Sequence, residues 1–251
     1  MLSAPLESKS MTTDSDAEFP RHRMRTEDGH PGMLDWRSRR QQQGYRERVE
    51  AQSLPSLRRY NLTISHREKF VWFRVAKSGT TTILDELTSR GAQLDVVRAT
   101  NVHYPVREYS SYYRFGFVRN PWDRLVSCWK TKVRKGNFLN LDPDIHEQSQ
   151  EFEHFVDYVS GLDLSNCNNH IRLQAALIDL NEVDFVGRLE SLNDDLALVL
   201  RAVGLPDSNI GARNVSTRAD SSVYRRFYDD DLADRVATLY QRDVQLFGYR
   251  F

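Results

Sequence analysis

Lys77-Ser78-Gly79-Thr80-Thr81 follows the apolar, β-rich run Phe70–Val75 and precedes a helix-forming stretch. An ammonium, a hydroxyl, a glycine and two more hydroxyls in that order suit an anionic ligand. Gly79 lets the backbone turn tightly and approach a bound group closely. The amides that open the next helix have no intrahelical partner, and with the helix dipole they favour a phosphate. A plain strand-to-helix connection capped by a hydroxyl is the ligand-free alternative. A second segment repeats the logic. Arg119 ends the strand Tyr113–Val118, Asn120-Pro121 starts a helix, and Ser127 lies on it eight positions beyond Arg119. A guanidinium and a hydroxyl suit a phosphate monoester, while an Arg119–carboxylate pair is the arrangement that needs no ligand. Two such sites at the carboxyl ends of two strands imply a clamp for a nucleotide phosphorylated at both ends.

The first turn is not a Walker A loop, because Lys77 precedes its only glycine. No strand ends in an acidic residue placed to hold Mg²⁺. An ATP- or GTP-dependent kinase is therefore the weaker alternative, and no metal site is expected.

Together the two motifs resemble those of sulfotransferases that use 3′-phosphoadenosine 5′-phosphosulfate (PAPS). The resemblance implies that Lys77, Ser78, Gly79, Thr80 and Thr81 bind the 5′-phosphosulfate and that Arg119 and Ser127 bind the 3′-phosphate. It is closest to the carbohydrate (Golgi-type, sulfotransferase family 2) branch and its bacterial relatives. That branch has a His-x-x-x-Gln segment followed by Asp-Phe-Val-Gly, here His170 to Gln174 and Asp184 to Gly187, and a C-terminal ending matched by Tyr240, Asp243 and Phe247-Gly248-Tyr249. The resemblance spans Tyr60 to Phe251. Departures are Ala76, where a proline is common, Thr82, where the small-molecule branch stacks a Trp on adenine, and the absence of an Arg-Lys-Gly loop. Arg213, Asn214 and Arg218 are candidates for the rest of the 3′-phosphate site by position only.

The implied reaction moves a sulfuryl group to a hydroxyl acceptor, a carbohydrate or glycoconjugate such as a glycolipid, by in-line displacement with a general base. Histidine suits that base near neutral pH. His103, in the crossover between the motifs, is the first choice, and His170 the second, as base or acceptor-binding group. Either is also readable as a structural histidine. His66, His146 and His154 carry no such signal. Asp85 and Glu86 are acidic alternatives whose simplest role is solvated helix surface. Lys77 would stabilise charge on the leaving nucleotide. Tyr104, Tyr109, Tyr112 and Trp129 are candidates to stack on a sugar, or packing residues. A nucleotide-binding module without catalysis is the alternative from another class.

The elements that must position these residues alternate. A hairpin is expected over Tyr60–His66 and Phe70–Val75, a helix over Thr80–Arg90, an irregular crossover, a strand over Tyr113–Val118 and a helix over Pro121–Lys135. A loop over Gly136–Gln150 follows, then helices near Glu151–Ser160, Leu192–Val203 and Ser222–Leu246, with a short strand at Asp184–Val186. The pattern implies a P-loop-like three-layer α/β fold with a central, mainly parallel sheet flanked by helices. Ligands in such sheets bind beyond the carboxyl ends of the strands.

The chain has 251 residues, with 35 Lys and Arg against 35 Asp and Glu, so no global pull toward nucleic acid is expected. Residues 1–56, polar and poor in aliphatics, read as a disordered tail with a short helix near Asp35–Ala51; residues 57–251 read as one sulfotransferase domain. Two cysteines are too few for a disulfide framework, and Cys128 reads as a core residue. No apolar run approaches the ~20 residues that span a bilayer and no signal-peptide pattern is seen. A cytoplasmic location is therefore expected, with peripheral membrane association left open.

Overall fold

The computed structural model describes Arg40, Gln43, residues 56–207 and residues 223–251. The expected tail and its short helix lie almost wholly outside the described residues, as do Arg213, Asn214 and Arg218.

Five strands form one sheet: β1 (Tyr60–Ser65), β2 (Phe70–Phe73), β3 (Val96–Val102), β4 (Tyr113–Val118) and β5 (Phe185–Arg188), in the order β3-β1-β2-β4-β5. β2 pairs with β4 and β4 with β5 in parallel, whereas β1 runs antiparallel to both β2 and β3. Four strands thus share one direction, although two of the four pairings are antiparallel. The sheet is mixed rather than parallel throughout, because the tight β1–β2 hairpin sits inside it.

β2 is short and entirely apolar because it is central and covered on both faces. Its alternate side chains serve two cores. Phe70 and Trp72 join Phe115 and Phe117 beneath α1 (Thr80–Ser89) and α5 (Leu192–Ala202), which contribute Ile83, Leu84, Leu87, Leu196 and Val199. Val71 and Phe73 face α2 (Pro121–Lys132), α4 (Phe152–Ser160), α6 (Asp230–Leu239) and α7 (Gln241–Phe247), which contribute Trp122, Leu125, Phe155, Val236 and Phe247. Three layers result.

Several elements differ from the sequence expectation. The crossover contains β3, which was hidden because register shifts against β1 break its two-residue alternation. The expected loop over Gly136–Gln150 contains α3 (Pro143–Gln148), a helix with no buried residue and hence no apolar period to read. The expected helix over Ser222–Leu246 is broken. A 3₁₀ turn covers Val223–Phe227, Asp229 caps α6 through the Leu232 amide, and α6 and α7 meet at Tyr240. The break turns α7 so that Asp243 comes under the sheet's carboxyl edge. Among the described residues no helix is long and apolar enough to cross a membrane.

Candidate functional site

The site stands at the carboxyl edge of β2 and β4. Lys77 and Gly79 both have positive φ, 69° and 77°. For lysine this is a strained conformation of a kind that clusters at ligand sites. Gly79 is the N-cap of α1, which has no side-chain cap, so the first amides stay available. A Cβ on Gly79 would lie 2.7 Å from Leu189 Cδ1. Thr80 is half-buried, Thr81 is exposed, and neither hydroxyl is bonded among the described residues.

α2 forms the floor. Asn120 caps it by accepting from the Trp122 and Asp123 amides, and Pro121 fits the first turn. Its outer stripe is Asp123, Ser127, Lys130 and Thr131, spaced by three and four residues on one face. The Lys77 ammonium donates to Thr131 Oγ1 at 2.8 Å, and Arg119 donates through Nε to Asp123 Oδ2 at 2.8 Å. Arg119 Nη1 also donates to the Lys77 carbonyl at 3.2 Å, joining the two motifs. Arg119 therefore does pair with a carboxylate. The half-buried Ser127 lies between Lys77 and Arg119 on the stripe, its hydroxyl unbonded among the described residues. Burial, reinforced by the charges of Arg119, Lys132 and Arg124 and partly offset by Cys128, pulls Lys77 down to about 8. On the stripe, Lys130 Nζ lies 4.4 Å from the Phe227 ring centroid, and Arg226 lies 5.0 Å from it.

Behind the two turns sits a residue to which the sequence reading gave no role. Gln174, fully buried, accepts from the Ser78 hydroxyl at 3.2 Å and the Arg119 amide at 2.9 Å, and donates to the Arg119 carbonyl at 2.8 Å. The Gln174 and Ala175 amides in turn donate to Asp243 at 2.8 and 2.9 Å. Burial pushes the Asp243 carboxyl up against the effect of those amides. Arg124, also buried, donates to the carbonyls of Ala76, Arg172 and Asn169 at 2.9, 2.8 and 2.9 Å. It ties the Lys77–Thr81 turn to the His170 segment. Only its five-residue spacing from Arg119 could have singled it out.

The two candidate histidines are placed differently. His103 follows β3, two strands from β2, about 10 Å by ordinary strand spacing, and its Nδ1 donates to the Ser56 carbonyl at 2.6 Å. Asn168 Oδ1 accepts from both the His170 amide at 3.0 Å and His170 Nδ1 at 2.9 Å. An amide N–H can only donate, so that oxygen is the acceptor and His170 carries its proton on Nδ1. Its Nε2 lone pair is free for a proton. Burial first, then the charges of Lys132, Lys77 and Arg124, pull His170 down to about 3.

Other candidates prove structural. Glu86 is buried and paired with Arg90 at 2.9 Å, not solvated, and Asp85 is exposed. Tyr104 is buried and donates to Asp179, Trp129 is buried and donates to the Ser149 carbonyl, Tyr109 lies in the core, and Tyr112 packs on His66. These rings are packing residues. Cys128 is buried and its thiol is pushed up to about 11 by burial, which suits a core residue.

The model of the Sulfotransferase family matches residues 60–250. The chain belongs to this family. Carbohydrate sulfotransferase 10 of Xenopus laevis is 26% identical over 190 residues, 63% of this chain and 52% of that protein. This sulfotransferase-family chain thus spans about half the length of that relative. An uncharacterized protein of Archaeoglobus fulgidus is 28% identical over 118 residues, 47% of this chain and 87% of its own. No solved structure matches the chain. The family read from Lys77–Thr81, Arg119 and Ser127 is borne out, and the Xenopus relative supports the carbohydrate branch.

Proposed function

We propose that this chain transfers a sulfuryl group from PAPS to a hydroxyl, with a carbohydrate or glycoconjugate as acceptor, within one domain covering residues 57–251. The observation that carries this reading is the bond from Arg119 to the Lys77 carbonyl, which makes one site of the two motifs. In this scheme the donor's phosphosulfate lies against Lys77, Ser78, Gly79, Thr80, Thr81 and the opening amides of α1. Its 3′-phosphate lies along α2 at Arg119 and Ser127. Arg119 would exchange part of its Asp123 pairing for the phosphate, a charge-assisted bond of comparable strength.

The acceptor oxygen forms its bond to sulfur as the bond from sulfur to the phosphate oxygen breaks. The hydroxyl proton passes to a histidine, and adenosine 3′,5′-bisphosphate leaves. Lys77 stabilises the charge that grows on the departing oxygen, where help acts on the transition state. His170 is favoured over His103 as base, because its ring feels the Lys77 charge, whereas His103 follows β3, two strands from β2. The low basicity of His170 rises once donor anions offset the neighbouring cations.

Calorimetric titration with adenosine 3′,5′-bisphosphate, ADP and AMP, without metal, tests the donor reading. Preference for the bisphosphate, lost in Arg119→Ala, is expected. Equal or metal-dependent binding of ADP would sink it and favour the kinase alternative. Binding of the bisphosphate with no turnover of PAPS on any acceptor would favour a non-catalytic nucleotide-binding module.

A further inference from the structure

Arg124 is a buried cation of α2 that the transfer scheme leaves without a part. It is 2% exposed, and no carboxylate pairs with it among the described residues. Its guanidinium donates to three backbone carbonyls instead: Nε to Ala76 at 2.9 Å, Nη1 to Arg172 at 2.8 Å and Nη2 to Asn169 at 2.9 Å. Burying a charge is costly, and an apolar side chain in the same space often serves stability as well or better. What the fork holds is therefore informative. The Ala76 carbonyl belongs to the peptide that enters Lys77, and the Asn169 carbonyl to the peptide that enters His170. Nε and Nη2 lie on one edge of the planar guanidinium, the edge that elsewhere takes both oxygens of a carboxylate. Here that edge takes one carbonyl from each segment and so sets the two peptides side by side.

Neither segment fixes this relation by itself. Lys77 has a φ of 69°, a strained conformation that lasts only where its surroundings hold it. The His170 amide and ring Nδ1 both donate to Asn168 Oδ1, two positions away. Those bonds set the ring within its own turn and leave its distance from Lys77 open. Gln174 links Ser78 to Arg119, which leaves His170 out. Arg124 has a rigid base for the task. Its amide donates to the Asn120 carbonyl in the first turn of α2 at 2.8 Å, and Leu125 and Val126 beside it are buried. A lysine here could not do the same, since one ammonium on a flexible stem does not hold two carbonyls in a plane.

We infer that Arg124 is a positioning residue of the sulfuryl transfer, whose fork sets His170 against Lys77 and which touches neither donor nor acceptor. The inference rests on the sulfotransferase reading, with His170 as its base. An in-line displacement needs the group that takes the acceptor proton and the group that meets the leaving oxygen at a fixed separation. A misplacement of about 1 Å can cost ~100-fold in rate.

The test compares the full chain with Arg124→Lys, which keeps the charge and loses the fork. Turnover of PAPS is followed as release of adenosine 3′,5′-bisphosphate in a screen of p-nitrophenyl glycosides. Arg124→Lys is expected to lower kcat by roughly 100-fold, while KM for PAPS changes by less than about threefold. His170, followed by NMR in the free protein, should rise from about 3 in wild type toward the ordinary 6.5 in the variant, because its ring is no longer held among the buried cations. A merely structural arginine would lower the melting midpoint and leave kcat and that titration where they were. An unchanged His170 titration overturns the inference. So does a rise in KM with kcat kept, which would make Arg124 part of the donor site. Should Arg124→Lys not fold, wild type decides. Its Arg124 Nε proton should exchange slowly and show coupling across the hydrogen bond to the Ala76 carbonyl, and fast exchange overturns the inference. Absence of turnover by wild type on any acceptor refutes the sulfotransferase reading separately, and the His170 titration then still decides whether Arg124 sets that segment.

Discussion

Gln174→Ala tests whether one side chain holds the Lys77–Thr81 and Arg119 turns in register. The substitution removes three hydrogen bonds: from the Ser78 hydroxyl at 3.2 Å, from the Arg119 amide at 2.9 Å and to the Arg119 carbonyl at 2.8 Å. Both polar groups of the Arg119 strand end then lose their partner inside the core. An orphaned buried polar group costs about 1–3 kcal/mol, so the two backbone groups set a range of roughly 2–6 kcal/mol. The Ser78 bond is long and adds little. Water entering the vacated space would offset part of the loss, leaving about 2–4 kcal/mol out of a total stability on the order of 5–15 kcal/mol. Asp243 keeps its two backbone amides, so the variant should still fold. Urea unfolding is expected to show a lower midpoint with an unchanged slope. Calorimetry should show a fall in adenosine 3′,5′-bisphosphate affinity of roughly tenfold, about 1.4 kcal/mol, because Arg119 and Ser78 are no longer fixed. A stability loss below about 0.5 kcal/mol together with unchanged affinity would refute the reasoning.

Gly79→Ala places a Cβ 2.7 Å from Leu189 Cδ1 at a φ of 77°. A loss of about 1–3 kcal/mol is expected in thermal unfolding, with weaker nucleotide binding; a neutral result would mean that the turn does not need its left-handed glycine. Lys77 titrates near 8 in the folded protein against 10.5 ordinarily. Bisphosphate affinity should therefore fall as pH rises through 8. Stability of the free protein should change the other way. Between about 8 and 10 the unfolded chain holds more protons at this lysine, so its contribution grows with pH. Lys77→Met should remove both dependences, and an affinity flat from pH 7 to 9 in wild type would contradict the first. His170, pulled down to about 3, should give a neutral imidazole by NMR at pH 5 in the free protein and a higher pKa once bisphosphate is bound; an ordinary titration near 6.5 in the free protein would count against its placement.

Much of this arrangement was legible in the chain because it is local. The turn Lys77–Thr81 is set by a glycine and hydroxyls between a strand and a helix. Asn120-Pro121 announces the start of α2, and Ser127 then falls on its outer stripe with Asp123, because a helix brings residues four apart to one face. Features without a local period were not legible. β3 was lost to its bulges against β1, and α3 to its lack of a buried face. Among the aromatics, Tyr104 and Trp129 read equally well as sugar platforms or core, and only burial decides between them.

Family, strand-turn-helix units and the two motifs proposed to bind the donor follow from the sequence alone, because each motif is complete within a short stretch of chain. What holds the motifs to one another does not. Arg119 and Gln174 are 55 residues apart, and Gln174 and Asp243 are 69 apart. A glutamine and an aspartate carry no mark of such partners until the sheet, α2 and the turned α7 bring them together. The same holds for the histidines. His103 and His170 are alike as residue types, and only packing puts His170 among the charges of Lys77, Lys132 and Arg124 while β1 keeps His103 two strands from β2.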